Sequence, residues 1–127
     1  MSSHILVFDS GIGGTTVLDH IQALIPNASF SYFMDNAYLP YGELNSQQII
    51  ARLTSLLHFI ENENLHVDIL VIACNTASTS ALAAIRALTT IPIVGVVPAI
   101  KPAASITKSK RIGLLATPAT TRSIYTK

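Results

Sequence analysis

Apolar residues fall into short blocks separated by polar, glycine-bearing or proline-bearing turns, and the blocks alternate between two periods. Ile5 to Phe8 is a continuous apolar run of strand length. Val17, Leu18, Ile21, Leu24 and Ile25 then recur at helical spacing until Pro26-Asn27 closes the repeat. Phe30 to Met34 predicts a second, less apolar strand, and Asp35 to Gly42 a loop containing Pro40-Tyr41-Gly42. Ser46 is expected to be the N-cap of a helix carrying Ile49, Ile50, Leu53, Leu56, Leu57 and Ile60. Ile69 to Ile72, after Asp68, reads as a strand covered on both faces. It runs into Ala73-Cys74-Asn75-Thr76-Ala77-Ser78 and, from Thr79 onward, a helix with Leu82, Ile85 and Leu88 on one face. Ile91 to Val97 predicts a fourth strand. This alternation predicts an α/β fold: a doubly wound, mainly parallel sheet with flanking helices and right-handed crossovers.

The pattern starts again near the end. Ile112-Gly113-Leu114-Leu115 is strand-like, and Ala116-Thr117-Pro118-Ala119-Thr120-Thr121 repeats the small polar turn before a helix start. A second α/β unit is therefore expected to open near residue 112, with only one strand and a turn in the chain. In a true repeat, the counterpart of Cys74 would fall well beyond Lys127.

Composition sharpens this picture. The 127 residues suffice for one ordinary domain, and 50% hydrophobic against 12% charged residues makes the chain globular and unusually apolar. Such a composition is compatible with a homo-oligomer. No apolar run approaches the roughly 18 residues of a membrane span, and no basic leader precedes an apolar core, so a cytoplasmic location and no membrane partner are expected. A single cysteine forms no internal disulfide. The net charge of +1 is unevenly distributed: residues 1–100 hold seven acids and two bases, residues 101–127 six bases and no acid. Those bases are interleaved with Ile, Ala and Leu rather than stacking aromatics, so nucleic acid is not expected as a partner. The acidic complement of this segment is expected to lie outside the 127 residues.

The chemistry concentrates at strand ends. In open α/β sheets ligands bind at the C-terminal edge, and there Asp9 and Ser10, Tyr41 and Gly42, and Cys74, Asn75 and Thr76 would converge. Cys74 just before a helix N-terminus would favour a thiolate, although a lone cysteine after an apolar strand is equally a small buried hydrophobe. A thiolate with a carboxylate neighbour suits acid–base work as well as nucleophilic attack. This set contains no lysine or arginine, so amide or hydroxyl donors would hold any anionic ligand. Gly11-Ile12-Gly13-Gly14-Thr15-Thr16 is a weak dinucleotide fingerprint with Asp35 near the ribose position. Thr16 replaces the third glycine, however, and Asp9 would face the incoming anion. His4, His20, His58 and His66 lack ligand spacing, so no metal site is expected.

These residues resemble a family. Phe8-Asp9-Ser10-Gly11-Ile12-Gly13-Gly14, Asp35 with Pro40-Tyr41-Gly42, Ala73-Cys74-Asn75-Thr76-Ala77-Ser78, Pro92 to Gly95, and Ala116-Thr117-Pro118-Ala119-Thr120 occur in the order seen in glutamate racemases. The resemblance implies a cofactor-independent amino-acid racemase supplying D-glutamate for peptidoglycan, in which two cysteines on opposite faces of the α-carbon exchange its proton. Carried over, Cys74 is one acid–base group and Asp9 tunes it. Ser10, Tyr41, Gly42, Asn75 and Thr76 hold the glutamate, and Thr117 and Thr120 reach in from a second lobe. Family members are about twice this length, and their second cysteine lies in a Cys-Thr-His block absent here. The resemblance thus implies an N-terminal portion: residues 1–97 as a first lobe without its return segment, and 98–127 as a linker and the start of a second lobe. The 127 residues alone are expected to be inactive. The alternative is a non-catalytic α/β module binding a small anion or nucleotide through the 9–14 glycine loop.

Overall fold

Four short strands give the sheet its order, and a computed structural model describes residues 2–127. Strand β1 (His4–Asp9) leads through helix α1 (Thr15–Leu24) to β2 (Ser29–Met34). Helix α2 (Ser46–Asn62) follows two 3-10 turns, Asn36–Tyr38 and Tyr41–Glu43, and returns the chain to β3 (Ile69–Ile72). Helix α3 (Asn75–Arg86) then leads to β4 (Ile93–Gly95). The strand order is β2-β1-β3-β4, and every pair is parallel. This is the expected α/β architecture.

The two-residue period of the strands sorts their side chains into two layers. Leu6 and Phe8 of β1 and Leu70 and Ile72 of β3 join a core with Ile49, Leu53, Leu56, Leu57 and Ile60 of α2 and Ala77, Ala81 and Ile85 of α3. Ile5, Val7, Val71 and Ala73 face the other way, onto Val17, Leu18 and Ile21 of α1. The weaker apolar character of β2 has a positional cause, since it is an edge strand with alternating exposure.

Several boundaries move from their expected places. Asn45, not Ser46, caps α2: its carboxamide accepts from the Gln48 amide at 2.9 Å, and the Gln48 side chain answers to the Asn45 amide at 2.9 Å. Helix α3 starts at Asn75, four residues earlier than expected, with Cys74 as its cap. Its buried face is Thr76, Ala77, Ser78, Ala81 and Ile85, whereas Leu88 lies past the helix end and is exposed. Leu24 and Ile25 are exposed rather than packed. The β4 strand is shorter than Ile91 to Val97, although its pairing extends through Leu70 N–H to Pro92 O and Val96 N–H to Ile72 O.

Beyond β4 come α4 (Ile100–Ile106), α5 (Pro118–Thr121) and a 3-10 turn at Ile124–Thr126. Ile112 to Leu115 forms no strand; Ile112, Leu114 and Leu115 are exposed, and no neighbouring strand among the described residues pairs with their backbone. An apolar run becomes a strand only where a partner takes up its amides. Among the described residues no helix is long and apolar enough to cross a membrane.

Candidate active site

The strand order creates the crevice. From β1 the chain leaves through α1 toward β2, and from the adjacent β3 it leaves through α3 toward β4, on the opposite face and in the opposite direction. The loops after β1 and β3 therefore part company at the C-terminal edge, which is the switch point where open α/β sheets bind ligands. A cleft of about 530 Å³ opens there, with Asp9, Gly13 and Thr16 on one side, Cys74, Asn75 and Thr76 on another, and Leu115, Ala116, Thr117 and Thr120 on a third. No lysine or arginine lines it.

Cys74 sits at the base of this cleft, only 7% exposed. Its Sγ accepts from the Ala77 amide at 3.4 Å and lies 3.7 Å from Ser10 Oγ. Burial pushes the Cys74 thiol up, the charge of Asp9 adds to that, and the Ala77 amide with the Ser10 hydroxyl and amide only partly offset it. The expected thiolate preference at the helix N-terminus is thus corrected: desolvation outweighs the cap, and the resting group is a thiol.

Asp9 is buried at the end of β1, and its Oδ2 accepts from the Gly14 amide at 2.8 Å. Gly14 has no room for a side chain: a Cβ would stand 2.7 Å from Asp9 Cβ, 2.8 Å from Tyr32 Oη and 3.0 Å from Ala73 Cβ. Tyr32, which sequence reasoning passed over, donates to Gly11 O at 2.7 Å and braces the same turn from β2. Burial first, and then the charge of Asp9, hold its phenol protonated. A carboxylate already occupies the turn's own donor, so the glycine loop offers an anion little. That arrangement disfavours the nucleotide-module alternative.

The remaining expected residues divide between cleft wall and support. Asn75 is exposed, at the start of α3. Thr76 Oγ1 lies 2.9 Å from Thr117 Oγ1 and 3.4 Å from Thr120 Oγ1, and Thr117 Oγ1 is 3.2 Å from Thr120 Oγ1, so three hydroxyls from segments far apart in sequence form one cluster. Gly42 lies beneath it; a Cβ there would stand 2.9 Å from Thr117 Cγ2. Tyr41 is 1% exposed within the main core, and its hydroxyl donates to Asp35 Oδ2 at 2.6 Å. Ser10, Tyr41 and Gly42 do not line the cleft themselves but sit directly behind it.

Asp35 is fully engaged, so its reading as a ribose-binding acid falls. Arg52 reaches it with two nitrogens, Nε to Oδ2 at 2.8 Å and Nη2 to Oδ1 at 3.0 Å. Burial works to raise its pKa, but Arg52 and Tyr41 outweigh it and hold the carboxyl below the ordinary range. The signal for Arg52 in the sequence was that it is the one lysine or arginine on α2. Among the described residues no three His, Cys, Asp or Glu side chains gather as a metal-ligand set.

A family model described as Asp/Glu/Hydantoin racemase matches residues 12–127. A glutamate racemase of Shewanella sp. strain MR-7 is 57% identical over 126 residues, 99% of this chain and 46% of that protein. The Escherichia coli glutamate racemase, solved in complex with L-glutamate and the activator UDP-MurNAc-Ala, superimposes with a TM-score of 0.89 at 44% identity, covering 99% of this chain and 47% of that one. A glutamate racemase from Aquifex pyrophilus gives 0.86 at 37%, covering 97% and 48%. The chain spans about half the length of the curated relatives it matches.

Proposed function

We propose that this chain, which belongs to the Asp/Glu/hydantoin racemase family, supplies one side of the acid–base machinery of a glutamate racemase. One observation carries this reading. A buried thiol faces a cleft of about 530 Å³ walled by hydroxyls and the first residues of α3, with no fixed cation and no fitted nucleotide cradle.

In this reading the α-proton of glutamate points at Cys74. Its thiolate takes that proton, the electron pair of the Cα–H bond moves into the adjacent carboxylate, and a donor on the opposite face returns a proton. The α-proton is weakly acidic, so donors aimed at the carboxylate must stabilise the intermediate charge. The first amides of α3, which lack partners within the helix, and the Thr76, Thr117 and Thr120 hydroxyls supply such donors; Asn75 reaches the same rim. Ser10 and Asp9 act on the sulfur, and Tyr41 and Gly42 form the support beneath. The substrate's own ammonium brings the positive charge the cleft lacks and favours the thiolate once bound. No cofactor takes part, D-glutamate for peptidoglycan is the product in use, and the setting is the cytoplasm.

Residues 1–97 are read as the first lobe and 98–127 as the entry to the second. The sequence carries one cysteine, so these 127 residues address one face of the α-carbon. In deuterated water, circular dichroism should show no racemisation of L-glutamate at an enzyme-like rate, whereas L- or D-glutamate should protect Cys74 from iodoacetamide. Nucleotide binding that is indifferent to Cys74→Ala and maps to Gly11 to Gly14 would overturn the reading in favour of the anion-binding module.

A further inference from the structure

Arg52 stands outside the cleft, on α2, a helix that otherwise contributes apolar side chains to the core. It nevertheless organises the segment that runs beneath the site. Its guanidinium grips both oxygens of Asp35, which is 6% exposed, and the Tyr38 ring covers it at 4.0 Å. Asp35 in turn receives the Tyr41 hydroxyl, and its amide donates to Asp9 O at 3.0 Å. Residues 35–43 are therefore fastened at three points. Between those points Leu39 Cδ1 packs over Gly11, 3.2 Å from where a Cβ would be, and Gly42 packs under Thr117. The loop thus touches the glycine turn on one side and the threonine cluster on the other.

We propose that Arg52 is a positioning residue for the candidate site: through Asp35 and Tyr41 it clamps the 35–43 loop against Gly11 and Thr117, and so maintains the dry seat of Cys74. This deepens the reading of Cys74 as the acid–base group and rests on it. The physical case is the asymmetry of buried ion pairs. A carboxylate as enclosed as Asp35 cannot stay in place once its cation is removed, because an unpaired buried charge is far more costly than the pair. It must swing toward water or take up a proton, and either change alters the Tyr41 bond. A lysine would return the charge without the planar two-nitrogen grip, so it should restore only part of the clamp.

The test is the second-order rate of Cys74 alkylation by iodoacetamide as a function of pH, followed by mass spectrometry on the intact chain. Four proteins are compared: the parent, Arg52→Met, Arg52→Lys and Ile50→Ala. Ile50→Ala thins the packing of the same helix at a partly buried apolar position and leaves the Arg52–Asp35 ion pair in place. Arg52→Met should raise the rate near neutral pH by roughly tenfold, the equivalent of one pKa unit, and move the pH midpoint down toward the ordinary thiol value of 9.0. Arg52→Lys should fall between, and Ile50→Ala should lower the melting temperature while keeping the parent profile. A parent-like profile in Arg52→Met, or an equal change in Ile50→Ala, would overturn the proposal. If Arg52→Met does not fold, Arg52→Lys against Ile50→Ala decides the matter on the same terms. Protection of the parent's Cys74 by glutamate reads the racemase function separately: its loss alongside a clear Arg52 effect would sink that function and leave the clamp standing.

Discussion

Cys74 is a small side chain whose neighbours pull its proton affinity in opposite directions. Burial and Asp9 disfavour the thiolate, and the Ala77 amide and Ser10 favour it. Asp9→Asn should therefore lower the pH midpoint of Cys74 alkylation, because it removes a negative charge while keeping an oxygen for the Gly14 amide, and Ser10→Ala should raise it. Asp35 titrates at the other end of the scale. Its native pKa lies below the ordinary 3.8, so its contribution to stability is complete above 3.8 and is lost as pH falls through the lower native value. Acid unfolding followed by far-UV circular dichroism should show a limb below 3.8 that Asp35→Asn flattens. At this scale the sequence was informative about identity and poor about state. Asp9, Ser10, Cys74, Asn75 and Thr76 were legible because they end adjacent strands. The protonation of Cys74 was not, because it depends on how deeply the cap is buried, which no local pattern encodes. Arg52 and Tyr32 were missed for a related reason: each acts on a residue distant in sequence.

Elements were legible where periodicity is long and misplaced where small polar residues dominate. The twelve-residue span from Ile49 to Ile60 on α2 repeats cleanly, and only its cap was displaced, by one residue. Asn45→Ala should cost about 1 kcal/mol in a urea titration, and Ser46→Ala should cost little, which separates the two candidate caps. The start of α3 was hidden because Asn75, Thr76 and Ser78 read as turn formers, yet each is useful in the helix. Ser78 Oγ donates to Ile72 O at 3.0 Å and accepts from the Val96 amide at 3.1 Å, joining β3 to β4. The Val96 amide and Ile72 O also pair with each other, so Ser78→Ala removes the added hydroxyl bridge only and should destabilise the fold by about 0.5–1.5 kcal/mol. Gly14→Ala should be worse placed still, because a Cβ there would stand 2.7 Å from Asp9 Cβ and 3.0 Å from Ala73 Cβ, atoms fixed to the backbone at the ends of β1 and β3. Its effect should appear in the Cys74 profile as well as in stability.

For the whole molecule, alternating blocks were enough to predict a parallel doubly wound sheet, since each crossover needs a helix and each helix needs a covered face. They could not show that Ile112 to Leu115 lacks a strand to pair with. That run and Ile124 leave large apolar side chains in water, in the same part of the chain that gathers six of the eight bases. The parallel arrangement also has a practical side. Every strand begins at one rim and ends at the other, and β1, with six residues at about 3.3 Å each, makes the two rims roughly 20 Å apart. The turn at Glu63 and Asn64, just after α2, lies at the starting rim, close to where Asp68 receives the His4 amide. A surface linker or dye carried there would sit a full strand's length from Cys74, so the chain could be immobilised or labelled with its thiol chemistry facing free solution.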